Sequence, residues 1–231
     1  MDYLLQGFFQ GLVLLFTGDP ETYSAIWATV AASSLSMTAS LVIGIPLGFL
    51  LGYNKFPGKK IIRTIVDTLL SFPTVVIGLL VYAFLTRHGP LGGTGLLFSI
   101  SGVAIGQTLL GLPIIIAMTA AAVEALDKRL PMTLITLGAN PRQMMWASVL
   151  EARYSIMLAA MAAYGRIVSE VGISMLVGGN FKWHTRTITT AIALETSKGE
   201  FTMGIALGIT LLAVALTVNI LATGLKKKAV Q

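Results

Sequence analysis

Five long apolar runs, at 24–53, 61–85, 98–123, 155–177 and 201–225, leave little of the chain outside them. A bilayer hydrocarbon core of about 30 Å takes roughly 20 helical residues to cross, and every run reaches that length. They predict five spans in an all-helical integral membrane protein. The rest of the chain agrees, because only 11% of 231 residues are charged and 55% are hydrophobic, at a mean hydropathy of +0.82. That is too little charge for an ordinary soluble surface. The absence of cysteine excludes disulfides and thiolate metal sites.

The first apolar stretch, 3–16, is different: about 14 residues make a helix of roughly 21 Å, too short to cross. It reads as an interfacial helix occupying 1–18. It lacks a basic leader and an A-x-A site, which argues against a signal peptide, and Gly18-Asp19-Pro20 ends it with turn chemistry. Gln6 and Gln10 share one side with Gly7 and Gly11. We read residues 1–231 as one domain, with a transmembrane core at 20–225.

Lysine and arginine set the orientation, because short basic loops are retained in the cytoplasm. One set of loops carries Lys55, Lys59, Lys60, Arg63, Lys128, Arg129, Arg142, Arg153 and Lys226 to Lys228, eleven residues; the other carries Arg87, Lys182, Arg186 and Lys198, four. This places the N-terminus outside and the C-terminus in the cytoplasm. The net charge of +6 is a topology signal and does not point to nucleic acid.

Glycine recurs every four residues at Gly44, Gly48 and Gly52, at Gly102 and Gly106, and at Gly204 and Gly208, which predicts flat helix sides for close packing. Pro46, Pro73 and Pro113 lie inside runs, where each removes a helical hydrogen bond and favours a kink. Pro73 is flanked by Ser71 and Thr74, whose hydroxyls suit either a pathway lining or local capping.

Between the third and fourth runs lies a punctuated polar insertion. Pro131 suits the first turn of a short helix, Gly138 a left-handed C-terminal cap, Asn140 the next N-cap and Pro141 the first position after it. Helix, tight break, helix is more than a connector needs, since most helix connections take 2 to 8 residues. The stretch 131–146 therefore reads as a rigid docking element for a cytoplasmic partner.

LGANPRQMMW in this position resembles the cytoplasmic loop of permease subunits of binding-protein-dependent ABC importers. That family's signature is EAA, three residues, Gly, nine residues, then I-x-L-P. With its glycine on Gly138 the EAA falls on Met132-Thr133-Leu134 and the I-x-L-P on Ser148-Val149-Leu150-Glu151, so that Gly138 and Leu150 match and most other positions do not. SFPTVVIGLLVY, RHGPLGGTGLLF, YGRIVSEVGISMLVGGN and TRTITTAIALETSKGEF are similar to the oxyanion branch, above all the tungstate-type permeases. The resemblance covers most of the chain from about residue 20.

It implies the type I ABC importer transmembrane fold and alternating access. It also implies a homodimer, two cytoplasmic ATPase subunits that hold ATP and magnesium, an extracytoplasmic solute-binding protein, and tungstate or a related oxyanion as cargo, in the inner membrane of a prokaryote. Molybdate or sulfate is the alternative cargo. In this reading Pro131, Leu137, Gly138, Ala139, Asn140, Pro141, Met145 and Trp146 couple to the ATPase. Ser71, Pro73, Thr74, Arg166, Ser169 and Glu170 line or gate the pathway.

The chain carries no G-x-x-x-x-G-K-[ST] phosphate loop, so P-loop hydrolysis belongs to a partner, and no cofactor is expected here. No catalytic constellation favours an intramembrane enzyme; His88 and His184 fall in external loops and read as solvated. Arg166 and Glu170, four apart in the fourth run, form either a structural ion pair or a pathway element. A proton-coupled secondary transporter using that pair is the reading from a different class. Asp67 is expected to salt-bridge Lys59, Lys60 or Arg63.

Overall fold

The structure is a computed structural model that describes residues 2–127 and 129–230. Lys128 lies outside the described residues, as do the side chains of Pro131 and of Lys226 to Lys228. All the long regular elements are helices: α1 (Asp2–Thr17), α2 (Pro20–Tyr53), α3 (Lys59–Leu70), α4 (Thr74–Leu85), α5 (Ile100–Glu124), α6 (Arg129–Thr136), α7 (Pro141–Glu151), α8 (Arg153–Val168), α9 (Gly172–Gly178), α10 (Ile188–Ser197) and α11 (Phe201–Val230). They form two compact units, one of residues 1–36, 73–107 and 165–231, the other of residues 37–72 and 108–164. α2, α5 and α8 each pass from one unit into the other without interruption.

Among the described residues three helices, Pro20–Tyr53, Ile100–Glu124 and the Phe201–Ile220 part of α11, are long and apolar enough to cross a membrane alone. The second and fourth runs are not single helices as the sequence predicts. The second breaks into α3 and α4, each of 12 residues and roughly 18 Å. The fourth breaks between Val168 and Gly172, where α8 and α9 are bent by 58°. Five spans result if each pair counts as one.

Pro46 and Pro113 remain inside continuous helices while Pro73 starts a new one. The difference lies in the surroundings. Pro113 is buried and Pro46 half-buried between glycines packed on α5, so neighbours hold the helix together, whereas Pro73 and Ser71 are exposed.

In the second unit the glycine stripe of α2 lies on α5. A methyl group added at Gly44 would stand 2.8 Å from Ile115 Cγ2, at Gly48 2.6 Å from Thr119 Cβ, and at Gly52 2.7 Å from the Ala120 carbonyl oxygen. Val66 of α3 packs with Leu51, Ala117 and Ala120, and Ala152 and Ile156 close on Ala122. Glu124 at the end of α5 holds Lys59 Nζ at 3.1 Å and Arg63 Nη1 at 3.2 Å, and Arg63 also reaches Asp67 at 3.6 Å, the partner expected for that aspartate.

In the first unit α1 docks along the start of α11, with Gly7 against Ile205 and Gly11 against Ala206, and leaves Leu5, Phe9 and Phe16 exposed. Asp19 caps α2 by accepting the Thr22 N–H at 2.8 Å and hydroxyl at 2.7 Å. α10 contributes Ile188 and Ala191 to a core with Ala25 and Leu207. Gly204 faces Thr196, but Gly208 faces open space, so that glycine pair does not form the flat contact its spacing suggests.

Candidate functional site

The insertion after α5 is built from local hydrogen bonds. Gly138 has φ +74, and its N–H donates to the Ile135 carbonyl while the Ala139 N–H donates to Leu134, both at 3.0 Å. These are the two bonds of a Schellman motif, which satisfies carbonyls that the end of α6 leaves unpaired. One residue on, Asn140 Oδ1 accepts the Gln143 N–H at 2.9 Å and Gln143 Oε1 accepts the Asn140 N–H at 2.8 Å. That reciprocal capping box, with Pro141 at the first helical position, starts α7. The N–H groups of Leu137, Gly138, Ala139 and Asn140 all find acceptors within the segment itself. It presents Leu137 and Trp146, 77% and 62% exposed, with Met132 and Ile135 beside them in sequence, while Ala139 and Met145 are half-buried.

The second group of residues lies in the first unit at the break between α8 and α9. Arg166 occupies the last turn of α8, and Glu170 stands in the break itself, not on a shared helix face as their spacing predicts. They meet all the same, Arg166 Nη1 to Glu170 Oε2 at 3.6 Å. Their environments are opposite: the Glu170 side chain is 2% exposed and that of Arg166 48%. Glu170 Oε1 accepts the Ile173 N–H at 3.1 Å in the first turn of α9. Its carbonyl accepts the hydroxyls of Thr189 at 2.9 Å and Ser174 at 3.3 Å. Ser169 is exposed and donates to the Arg166 carbonyl at 3.1 Å. Glu170 thus ties the break to α9 and α10 and holds one end of Arg166.

α4 packs on α9, which brings the starts of both helices side by side. A methyl group at Gly172 would stand 3.1 Å from Val75 Cγ2 and 3.3 Å from Glu170 Oε1, and one at Gly78 3.1 Å from Ile173 Cα. Pro73 is the N-cap of α4 and Thr74 its first residue, so both stand next to Val75 in this region. Among the described residues no side-chain hydrogen bond caps α4, whose N-cap is Pro73. Ser71 instead ends α3, its N–H donating to the Thr68 carbonyl.

A buried polar seam adjoins this break, and the sequence reading did not find it. Ser36 Oγ donates to Gln107 Oε1 at 3.4 Å, and Gln107 Nε2 donates to Ser174 Oγ at 3.5 Å. Thr29 Oγ1 accepts the Ile188 N–H at 2.9 Å, and the hydroxyl of Ser33, fully buried, has no hydrogen-bond partner among the described residues. The signal was Thr29, Ser33, Ser36 and Ser40 recurring every three or four residues along an apolar span. α10 was also missed; Thr187 caps it by accepting the Thr190 N–H, and Gly199 with φ +85 follows it. His88 and His184 are both exposed, and no group of metal-binding side chains occurs among the described residues.

The sequence pattern of a family described as "Binding-protein-dependent transport system inner membrane component" matches residues 44–231. The chain belongs to this family. The permease is 46% identical over 227 residues to the tungstate uptake system permease protein TupB of Campylobacter jejuni, covering 98% of this chain and 95% of that one. It is 35% identical over 219 residues to the protein of the same name in Peptoclostridium acidaminophilum, covering 95% and 96%. Its fold is that of a subunit of a bacterial alginate ABC transporter solved with a periplasmic protein, at a TM-score of 0.75, 21% identity and coverage of 94% and 82%. The permease is thus a multi-pass inner-membrane transport component with the type I importer transmembrane fold.

Proposed function

We propose that the permease moves tungstate or a related tetrahedral oxyanion inward by alternating access. It does so as one of two identical subunits, with its N-terminus outside and its C-terminus in the cytoplasm. The observation that carries the substrate is the 46% identity, over nearly the whole of both chains, to a protein named for tungstate uptake. ATP and magnesium belong to a separate cytoplasmic ATPase pair, and an extracytoplasmic binding protein delivers the anion.

The capped break around Gly138 is the part that fits a moving partner, because it is held by its own hydrogen bonds and exposes Leu137 and Trp146. Arg166 is the pathway charge. Its guanidinium is half-exposed and anchored from behind by a buried carboxylate, so it can offer positive potential to a dianion. Glu170 limits how strongly the anion is held, since a path that binds tightly cannot release.

The test is uptake into proteoliposomes holding the complete complex, with accumulated tungsten, molybdenum and sulfate measured in competition. Tungstate should accumulate only with ATP inside and loaded binding protein outside, and excess sulfate should not displace it. Preferential accumulation of molybdate or sulfate would reassign the cargo. Uptake that persists without the ATPase and follows a proton gradient would overturn the ATP-driven reading.

A further inference from the structure

The turn joining α2 to α3, Asn54 to Gly58, and the helix after it play no part in the transport reading. In the second unit, two hollows of opposite chemistry meet at this turn. One is an open surface hollow of about 850 Å³ whose lining includes Lys55, Lys59, Lys60 and Arg63. The other is a groove of about 220 Å³ lined only by apolar side chains, among them Leu47, Leu50, Ile62 and Val66. Phe56 lines both and joins them.

The charge of the basic hollow is uncompensated. Lys59 and Arg63 are held by Glu124, and Arg63 also by Asp67, which consumes two cations against two anions. Lys55 and Lys60 are exposed and have no ion-pair partner among the described residues. α3 is too short to cross a membrane, and beside its basic start it exposes Ile61 and Ile65. Basic and apolar exposure on one short helix is the pattern of a helix lying in the headgroup region.

We propose that the two hollows are one site for an anionic phospholipid, with its phosphate against Lys55 and Lys60 and an acyl chain in the groove past Phe56. A free phosphate would use the basic hollow and leave the apolar one without an occupant. Leu47 and Leu50 belong to a helix long and apolar enough to span a membrane, which favours lipid over a soluble protein. The site lies in the leaflet on the lysine-rich side of the membrane, and it depends only on the chain spanning a bilayer.

Native mass spectrometry of the full-length permease in detergent tests this, using phosphatidylglycerol and phosphatidylcholine with the same acyl chains. Phosphatidylglycerol should be retained at lower lipid concentration. Lys55→Gln/Lys60→Gln should weaken it roughly thirtyfold, since each lysine near an anionic surface contributes about 1 kcal/mol, or roughly fivefold. Because both lysines are exposed, that variant should keep its fold, checked by unchanged thermal unfolding. Leu50→Trp, which fills the groove, should weaken both lipids. Equal retention of the two lipids, or undiminished phosphatidylglycerol binding by the lysine variant, overturns the proposal. Displacement of the lipid by inorganic phosphate with no effect of Leu50→Trp would assign a free-anion site instead. Lipid binding that vanishes when the cytoplasmic partner assembles would assign the surface to that partner.

Discussion

Glu170 and Arg166 divide one ion pair into a buried half and an exposed half, and each half predicts a different result. A carboxylate that is 2% exposed is expensive to leave unpaired, whereas a half-exposed guanidinium is not. Arg166→Gln should therefore destabilise the protein in detergent more than Arg166→Gln/Glu170→Gln does. Glu170→Gln alone should be mild, because a glutamine carbonyl can still accept the Ile173 N–H. Uptake should follow another order. If Arg166 meets the anion, both variants lacking it lose transport while the dimer still assembles. Full uptake by the double variant would leave the pair a structural role only. Gly138 makes a second test at this scale. A Cβ there would meet nothing within 4 Å, so the effect of a substitution is conformational, about 1 kcal/mol or more for a side chain at φ +74. Gly138→Val should uncouple ATP hydrolysis from loaded binding protein, and Gly138→Asn, which tolerates the left-handed region, should retain coupling. Normal stimulation of the ATPase by a correctly inserted valine variant would contradict the docking role.

Helices pack here where glycine lets backbones approach, and the consequence is a contrast between two positions. At Gly48 an added Cβ would come within 2.6 Å of Thr119 Cβ and 2.7 Å of the Ile116 carbonyl oxygen, while at Gly208 it would meet nothing. Gly48→Leu should lower stability by about 1–3 kcal/mol through overpacking of α2 on α5, and Gly208→Ala should leave it unchanged. Thermal unfolding of the two variants in the same detergent checks both, and equal loss at the two sites would mean that α2 does not rest on α5 through its glycines. The same contrast explains what the sequence could reveal about the elements. Spacing exposes a stripe of glycines, but burial on a neighbour depends on helix rotation, which is why Gly204 and Gly208 read like Gly44 and Gly48 and behave differently. Pro46, Pro73 and Pro113 likewise look alike in isolation, and only their surroundings make one of them a break. Caps are legible because they close over three or four residues, as at Asn140; the seam from Ser36 through Gln107 to Ser174 is not, because its members are 71 and 67 positions apart.

Across the molecule, the apolar runs were legible as membrane segments because hydrocarbon length acts on composition alone. The division into two units was not, since it depends on contacts between distant segments of the chain. Orientation rests on the eleven to four distribution of basic residues, and the chain offers a clean way to measure it because it has no cysteine. His184→Cys should react with a membrane-impermeant maleimide in intact cells, and Ile135→Cys, at an exposed position, should react only after the membrane is opened. The reverse pattern would invert the topology and place the capped break on the wrong side for a cytoplasmic ATPase. Gly138 to Gln143 carry the whole turn in six consecutive residues, and their bonds reach back only as far as Leu134. Such a shape travels with its own short stretch of gene. Transplanted between paralogues, it would keep its form while the membrane core around it diverged, so cargo and motor could evolve on separate schedules.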